Sequence, residues 1–388
     1  MNSCTIIGLS DSPRQTLPTE ALEEISRSAV FSGGVRHRGL VEHLLPSGSR
    51  WIDITPPLGD VFRQYDGEEH IVIFASGDPL FYGFAATVRR RLPQCRIRVF
   101  PTFSSLQTLA HRLCLPYGTM RTVSLTGRGW DALDEALIQG EPLIGCLTDH
   151  EKTPDAIRER MHSFGYDNYT LHVGERLGNP SERVCLHERG ATYASPNCLI
   201  CTMTRPRPRL FGLPDKEFAL LDGREAMITK MPVRLATLAA LQLGSSATLW
   251  DIGFCTGSVS IEARLSFPRV RVVAFERRPQ CKAILERNAR HFGAPGITAV
   301  MGDFLEADLS RLPRPDAVFI GGHGGQLPRV MSRISTVLQP GGRIVFNSVS
   351  DESRQSFLTS AAALGKQSSE LHRIKADGHN TITILLAT

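Results

Sequence analysis

Three carboxylates in the second half of the chain each close a short apolar run: Asp251 in TLWDIG, Glu276 in VRVVAFE and Asp303 in ITAVMGDF. The first opens an acid-x-Gly-x-x-x-Gly pattern, Asp251, Gly253 and Gly257, inside TLWDIGFCTGSVSIE. Glycines at such a turn let backbone approach a ligand, and a helix beginning at its end offers free N–H groups. A dinucleotide fingerprint needs glycine at spacing one, three, six; counted from Gly253, those places hold Cys255 and Ser258, so two of three fail. An acid at the strand end would also repel a diphosphate, whereas it suits the ammonium and sulfonium of S-adenosylmethionine. Glu276 is then placed to accept ribose hydroxyl protons, and Asp303 or the adjacent amide to meet the adenine amino group. Singly, each acid reads equally well as a solvated loop residue. Together, on three successive strand ends, they predict a class I methyltransferase. Cys255 is expected at an ordinary negative φ, since a side chain disfavours the left-handed region, with its thiol packed under the loop and not acting as a nucleophile.

A second loop of the same kind lies in HIVIFASGDPLFYGFAATV, where Ser76, Gly77, Asp78 and Pro79 follow a strand and precede a helix predicted over 78–92. Gly-Asp-Pro also suits a plain turn. Two regions of alternating strands and helices must position these loops. Upstream, SCTIIGLS, SAVFSGG, HIVIFASGDP, RIRVFPT, PLIGCLTD, NYTLHVGERLG and TYASPNCLICTM read as strands. Downstream, ATLWDIG, VRVVAFE, ITAVMGDF, PDAVFIGG and GGRIVFNSV read as strands with helices between them, followed by a helix from 352 and a strand pair in LHRIKA and NTITILLA. Such alternation predicts α/β folds, with a mostly parallel doubly wound sheet in the second region. Between the regions, TRPRPRLFGLPDKEF carries Pro206, Pro208 and Pro214 and favours extended chain. The expected division is 1–203, a linker at 204–214, and 215–388.

At 388 residues, 41% hydrophobic and 21% charged, the chain is expected to be globular with two cores. No apolar run approaches the roughly 18 residues of a membrane span, and the N-terminus lacks a secretion pattern, so a cytoplasmic protein without membrane association is expected. Nine scattered cysteines fit reduced thiols. Cys198 and Cys201 have metal spacing, yet lie in a strand-like run with no second pair nearby; buried thiols are expected and no metal. The chain has 6 Lys against 38 Arg. Arginine grips carboxylates bidentately, which suits a polyanionic substrate; codon bias in a GC-rich genome would give the same count.

Residues EFALLDGREAMITKMPVRLATLAAL, LWDIGFCTGSVSIEA and DAVFIGGHGG, spanning roughly 215–388, resemble the decarboxylating methyltransferases that act on carbon 15 in corrin biosynthesis. The resemblance implies that Thr229, Asp251, Gly253, Thr256, Gly257, Glu276, Asp303, Gly321 and Gly322 hold S-adenosylmethionine and that Gly324 and Gly325 face the tetrapyrrole. Lys230 and Arg234 are candidates for its carboxylates, and His323 for a proton-transfer role. Residues 1–203 resemble the tetrapyrrole methylases through SGDP, RVFPTFSSLQTLAHRLCLPYGTMRTVSLTGRG and ERLGNPSER, most closely the carbon 5 enzymes. That resemblance implies a two-lobed domain in which Ser76, Gly77, Asp78, Phe81, Thr102, Phe103, Ser104 and Ser105 contact the cofactor. This family's first loop is usually glycine-rich; here Gly8 is kept but Ser10 and Ser12 replace glycines, which puts that loop's path in question. The fusion resembles the bifunctional family acting on carbons 5 and 15, whose relatives imply a homo-oligomer and leave the presence of cobalt open.

Two other classes compete. An RNA methyltransferase with an N-terminal binding module would need basic stripes interleaved with aromatics; 7% aromatic content and a net charge of +5 do not supply them. A regulatory sensor with one inactive domain rests only on the altered N-terminal glycines.

Overall fold

The computed structural model describes residues 1–224, 226–244, 247–375 and 381–388. Glu225 in the quoted second-domain run, and Ala376 and Asn380 at the inner ends of the expected strand pair, lie outside them. Its described residues form two compact units. One comprises Met1–Arg128, Glu141–Arg158 and Tyr169–Thr204; the other comprises Gly129–Gly140, Glu159–Asn168 and Arg205–Thr388. The second unit thus takes in two segments from upstream of the expected 204–214 linker. Within it the Tyr166 hydroxyl donates to the Gly293 carbonyl at 2.7 Å, and Arg160 grips Asp134 through two bonds of 2.7 and 2.6 Å.

The first unit holds two sheets. In one, β1 (Ser3–Leu9), β2 (Val30–Gly33), β3 (Arg50–Asp53), β4 (His70–Ser76) and β5 (Arg96–Phe100) run parallel in the order β3-β2-β4-β1-β5. The continuous apolar runs TIIG and IVIFA fill both faces of its centre, as a sheet covered on both sides requires. Leu9 pairs with Ser76, so the carboxyl ends of β1 and β4 lie side by side. The other sheet, ordered β6-β7-β10-β8-β9, joins β6 (Arg121–Ser124), β7 (Leu143–Leu147), β8 (Tyr169–Glu175), β9 (Arg183–Leu186) and β10 (Asn197–Met203), with β10 antiparallel to both neighbours. Cys198 and Cys201 are buried, unbridged residues of β10.

The second unit is built on β11 (Thr248–Ile252), β12 (Arg271–Glu276), β13 (Ile297–Met301), β14 (Ala317–Ile320), β15 (Arg343–Ser348), β16 (Ser368–Ile374) and β17 (Ile382–Ala387) in the order β13-β12-β11-β14-β15-β17-β16; β17 alone runs antiparallel to both neighbours. Alternate residues feed two cores, Trp250, Ile252, Val318 and Ile320 on one face and Leu249, Ala317, Phe319 and Val345 on the other. The order reverses between β11 and β14, and ligands of open α/β sheets bind outside the carboxyl ends at such a switch point. Ile252 pairs with Ile320 there, which brings Gly253 against Gly321 and Gly322.

One predicted element is shorter than expected. The helix placed over 78–92 spans only Phe84–Arg91. Tyr82 takes φ +54°, and a Cβ on Gly83 would lie 2.4 Å from the Pro79 carbonyl oxygen, so residues 78–83 fold back as a loop before the helix begins.

Candidate functional site

The larger cavity, about 560 Å³, opens at the switch point of the seven-stranded sheet. Its wall includes Thr229, Lys230, Asp251, Gly253, Thr256, Glu276, Asp303, Gly321, Gly322, His323 and Gly324. Gly257 and Gly325 are not part of that wall. Gly257 takes φ +76° and initiates the helix Ser258–Ser266; a Cβ there would lie 2.2 Å from Leu285. A Cβ on Gly253, at φ +78°, would lie 2.6 Å from the Gly322 nitrogen, so glycine is what lets the two turns touch.

Asp251 carries the most distinctive electrostatics. It is 1% exposed, and Oδ2 accepts the Ser260 hydroxyl at 2.6 Å. Its Oδ1 is buried with no partner among the described residues. Burial, helped by the charge of Glu276, pushes its pKa up to about 7. An unpaired buried acceptor is costly. Here it lines a cavity, beside the equally unpartnered Oγ1 of Thr256. A cationic group entering the cavity would satisfy the carboxylate, and that observation fits the ammonium of S-adenosylmethionine. Glu276 is also buried; its Oε2 accepts the Cys255 N–H at 3.1 Å and its Oε1 the Arg278 N–H at 3.0 Å. Oε2 also accepts from Arg278 Nη1 at 3.4 Å, so Oε1 is the oxygen that keeps a further lone pair for a ribose hydroxyl. Asp303 lies beyond the end of β13, with Oδ1 accepting the Leu305 N–H at 2.9 Å.

Two expectations are corrected. Cys255 adopts φ +48°, not a negative value. Gly253, Cys255 and Gly257 are all left-handed, and this winding lets the Cys255 N–H reach Glu276 while the Gly257 N–H donates to the Phe254 carbonyl at 2.7 Å. The thiol packs in a core with Cys281 and Leu285, and burial pushes it up to about 12, so it is not a thiolate nucleophile. Left-handed strain in a non-glycine residue costs about 1–2 kcal/mol. Cys255→Gly is therefore expected to leave the melting temperature close to that of the parent, strain relief offsetting the lost packing, and to preserve ligand affinity in a titration. Arg234 does not meet the cavity either. It is fully buried, with Nε on Glu262 at 3.0 Å, Nη1 on Asp215 at 2.9 Å and the Thr229 carbonyl at 2.8 Å, and Nη2 on the Leu213 carbonyl. Four of its five N–H donors thus tie Leu213, Asp215 and Thr229 to the helix Ser258–Ser266, and full burial keeps the guanidinium from a substrate.

Sequence reading missed Arg277 and Arg278, which follow Glu276 directly and line the cavity. Their position immediately after a strand-end acid was the available signal. Arg277 is exposed beside Gly324 and makes no ion pair among the described residues. His323 keeps Nδ1 buried and unpartnered, packs edge-on against Phe346 at 5.6 Å, and has its pKa lowered by burial. The ring is neutral at pH 7 and able to accept a proton.

The smaller cavity, about 450 Å³, sits at the carboxyl ends of β1 and β4. Ser76, Gly77, Asp78, Phe81, Phe103, Ser104 and Ser105 line it; Thr102 does not. Thr102 instead packs its backbone beside Gly8, where a Cβ would fall 2.0 Å from the Gly77 carbonyl oxygen and 2.9 Å from the Thr102 nitrogen. Gly77 takes φ +60° and donates its N–H to the Leu9 carbonyl at 2.8 Å. Asp78 Oδ1 caps its own turn through the Leu80 N–H at 2.8 Å. Ser104 caps the helix Ser105–Arg112 in a reciprocal pair with Gln107. Ser10 and Ser12 avoid positive φ, and their loop is braced by Asn179, whose amide donates to the Asp11 carbonyl at 3.2 Å. Asp11, Arg36 and His37 also reach this cavity and were not foreseen.

These folds and cavities define a methyltransferase with two α/β parts. A family model described as the precorrin methyltransferase domain matches residues 222–385, and one described as tetrapyrrole (corrin/porphyrin) methylases matches residues 15–190. A precorrin-6Y C(5,15)-methyltransferase [decarboxylating] of Sinorhizobium sp is 33% identical over 93% of this chain and 88% of its own. The chain belongs to this precorrin-6Y C(5,15)-methyltransferase (decarboxylating) family. A cobalt-precorrin-6B C(15)-methyltransferase (decarboxylating) of Salmonella typhimurium (strain LT2) is 37% identical over 39% of the chain and 77% of its own length. A solved precorrin-6Y C5,15-methyltransferase structure from Geobacter metallireducens GS-15 is 33% identical, covering 46% of this chain and 97% of that one, with a TM-score of 0.43.

Proposed function

We propose that the chain moves methyl groups from S-adenosylmethionine to carbons 5 and 15 of precorrin-6B or its cobalt form, and decarboxylates the carbon 12 acetate arm, in cobalamin synthesis. Residues 1–203 serve carbon 5 and residues 215–388 serve carbon 15 and the decarboxylation. The observation that carries the reading is the buried, unpartnered Asp251 Oδ1 in a cavity at the switch point of a seven-stranded sheet. The family relationship, which extends over both parts of the chain, supports the division of labour. Unbridged cysteines support a cytoplasmic setting, and the resemblance of each part to self-associating enzymes supports a homo-oligomer. Among the described residues no helix is long and apolar enough to cross a membrane.

S-adenosylmethionine, once bound, supplies an electrophilic methyl group for in-line attack by an electron-rich ring carbon. The residues' task is placement. Asp251 and Thr256 take the amino-acid end, Glu276 the ribose, and the Asp303 turn the base. Lys230 and Arg277 flank the cavity as partners for the macrocycle's carboxylates. His323, neutral and with a free nitrogen, accepts the proton that the ring must release. His323→Ala is expected to slow carbon 15 chemistry by roughly 10²–10⁴-fold with cofactor affinity preserved; full turnover would remove it from the mechanism. The reading as a whole is tested by product mass on precorrin-6B with and without cobalt. Two methyl groups gained and one carbon dioxide lost is the expected result, and methylation of RNA without turnover of either macrocycle would reject it.

A further inference from the structure

One cluster in the N-terminal cavity extends beyond the cofactor contacts that the resemblance implies and meets them at Ser76. Asp11 and Arg36 form an ion pair, Arg36 Nη2 donates to Ser76 Oγ at 2.7 Å, and His37 Nε2 lies 2.9 Å from the same oxygen. The protonation pattern follows from the backbone. The Gly34 N–H donates to His37 Nδ1 at 3.2 Å, so Nδ1 carries the lone pair and the neutral ring has its proton on Nε2. Burial, and then the charge of Arg36, push His37 down to about 4, in keeping with a neutral ring. Ser76 Oγ therefore accepts two hydrogen bonds, which uses both its lone pairs. Its own proton is left to donate, and no protein acceptor for it is found among the described residues. A hydroxyl that accepts from a guanidinium is a polarised donor and favours an anionic acceptor. The acids lining the cavity, Asp11 on Arg36 and Asp78 on the Leu80 N–H, make no hydrogen bond to Ser76 among the described residues.

We propose that Ser76, oriented by Arg36 and His37, forms a carboxylate-binding subsite of the N-terminal cavity. The inference rests on reading that cavity as a methyl-transfer site. Two carboxylates are available to it: an acid arm of the macrocycle, and the methionyl carboxylate of S-adenosylmethionine. The full-length chain is used, with Ser76→Ala, Ser76→Thr and Arg36→Met as variants. Cofactor affinity is read by titration in an Asp251→Asn background, which blanks the other cavity, and KM and kcat for the macrocycle are read from carbon 5 methylation without that second change.

Ser76→Ala is expected to weaken one of the two ligands by roughly tenfold to a hundredfold, with kcat changed far less. Arg36→Met should weaken the same ligand, and Ser76→Thr, which keeps the hydroxyl, should restore it. A raised macrocycle KM assigns the subsite to an acid arm; a weakened cofactor assigns it to the methionyl group. Undiminished carbon 15 methylation shows that each variant is folded. If Ser76→Ala leaves both constants within about twofold of the parent, the subsite is refuted. If the unmodified chain never methylates carbon 5, the functional reading fails instead, before any variant is made.

Discussion

Asp251→Asn is expected to weaken S-adenosylmethionine binding in the C-terminal cavity by about 3 kcal/mol, roughly 150-fold, while making the ligand-free protein more stable at pH 8. Both effects come from one buried atom. In the ligand-free fold Asp251 Oδ1 has no partner, and burial lifts the group to about 7. Between pH 4 and pH 7 the folded chain thus holds a proton that the unfolded chain has released. The sign follows: stability falls as pH rises through this window, by at most ~1.4 kcal/mol per unit, and levels off above pH 7. Asparagine cannot ionise, so that slope disappears. The ammonium selects the charged carboxylate, so affinity should also drop as pH falls below 7, by up to about tenfold per unit. Thermal melts and titrations at pH 6, 7 and 8 check both halves. Reduced stability together with reduced affinity would mean that Asp251 is a structural acid.

Gly8→Ala is expected to abolish carbon 5 methylation and spare carbon 15. The added Cβ would meet the Gly77 carbonyl oxygen at 2.0 Å and the Thr102 nitrogen at 2.9 Å. Both are backbone atoms, and no rotamer change relieves the clash. Either β1 or the Ser76–Pro79 turn must move, at a cost of about 3 kcal/mol. Catalysis that depends on placement loses on the order of a hundredfold for a shift of about 1 Å. Mass analysis should therefore show a product with one new methyl group and the acetate arm decarboxylated. A doubly methylated product formed at the parent rate would show that the cavity tolerates the shift.

Much of the second unit was legible because its strands are buried on both faces. VVAF and AVFI are unbroken apolar runs and LWDI is interrupted only by Asp251; each is followed by a glycine or an acid, and such runs specify a central parallel strand. The edges were harder. Arg50–Asp53 and Arg183–Leu186 are four-residue edge strands, the latter without a single buried residue, and neither has a run long enough to separate it from a loop. The helix Met231–Leu241 lies in the run that carries the family resemblance, yet the sequence alone makes its fully buried Arg234 a ligand for substrate. Sequence shows a cation near the site; only packing shows that Glu262, Asp215 and two carbonyls already occupy it. Cys255 failed for a related reason. Residue preference argues against positive φ, but the Cys255 N–H bond to Glu276 and the flanking glycines impose the left-handed turn. Arg36 and His37 reach Ser76 from the helix Val35–Val41 after β2, a long-range meeting that local patterns do not encode.

The presence of two cofactor pockets is tested most directly by a calorimetric titration of the intact chain with S-adenosylmethionine. The expected result is two binding sites per chain, the C-terminal one removed by Asp251→Asn and the N-terminal one by Gly8→Ala. A single site in the unaltered protein, or two undiminished sites in the Asp251→Asn variant, would contradict it.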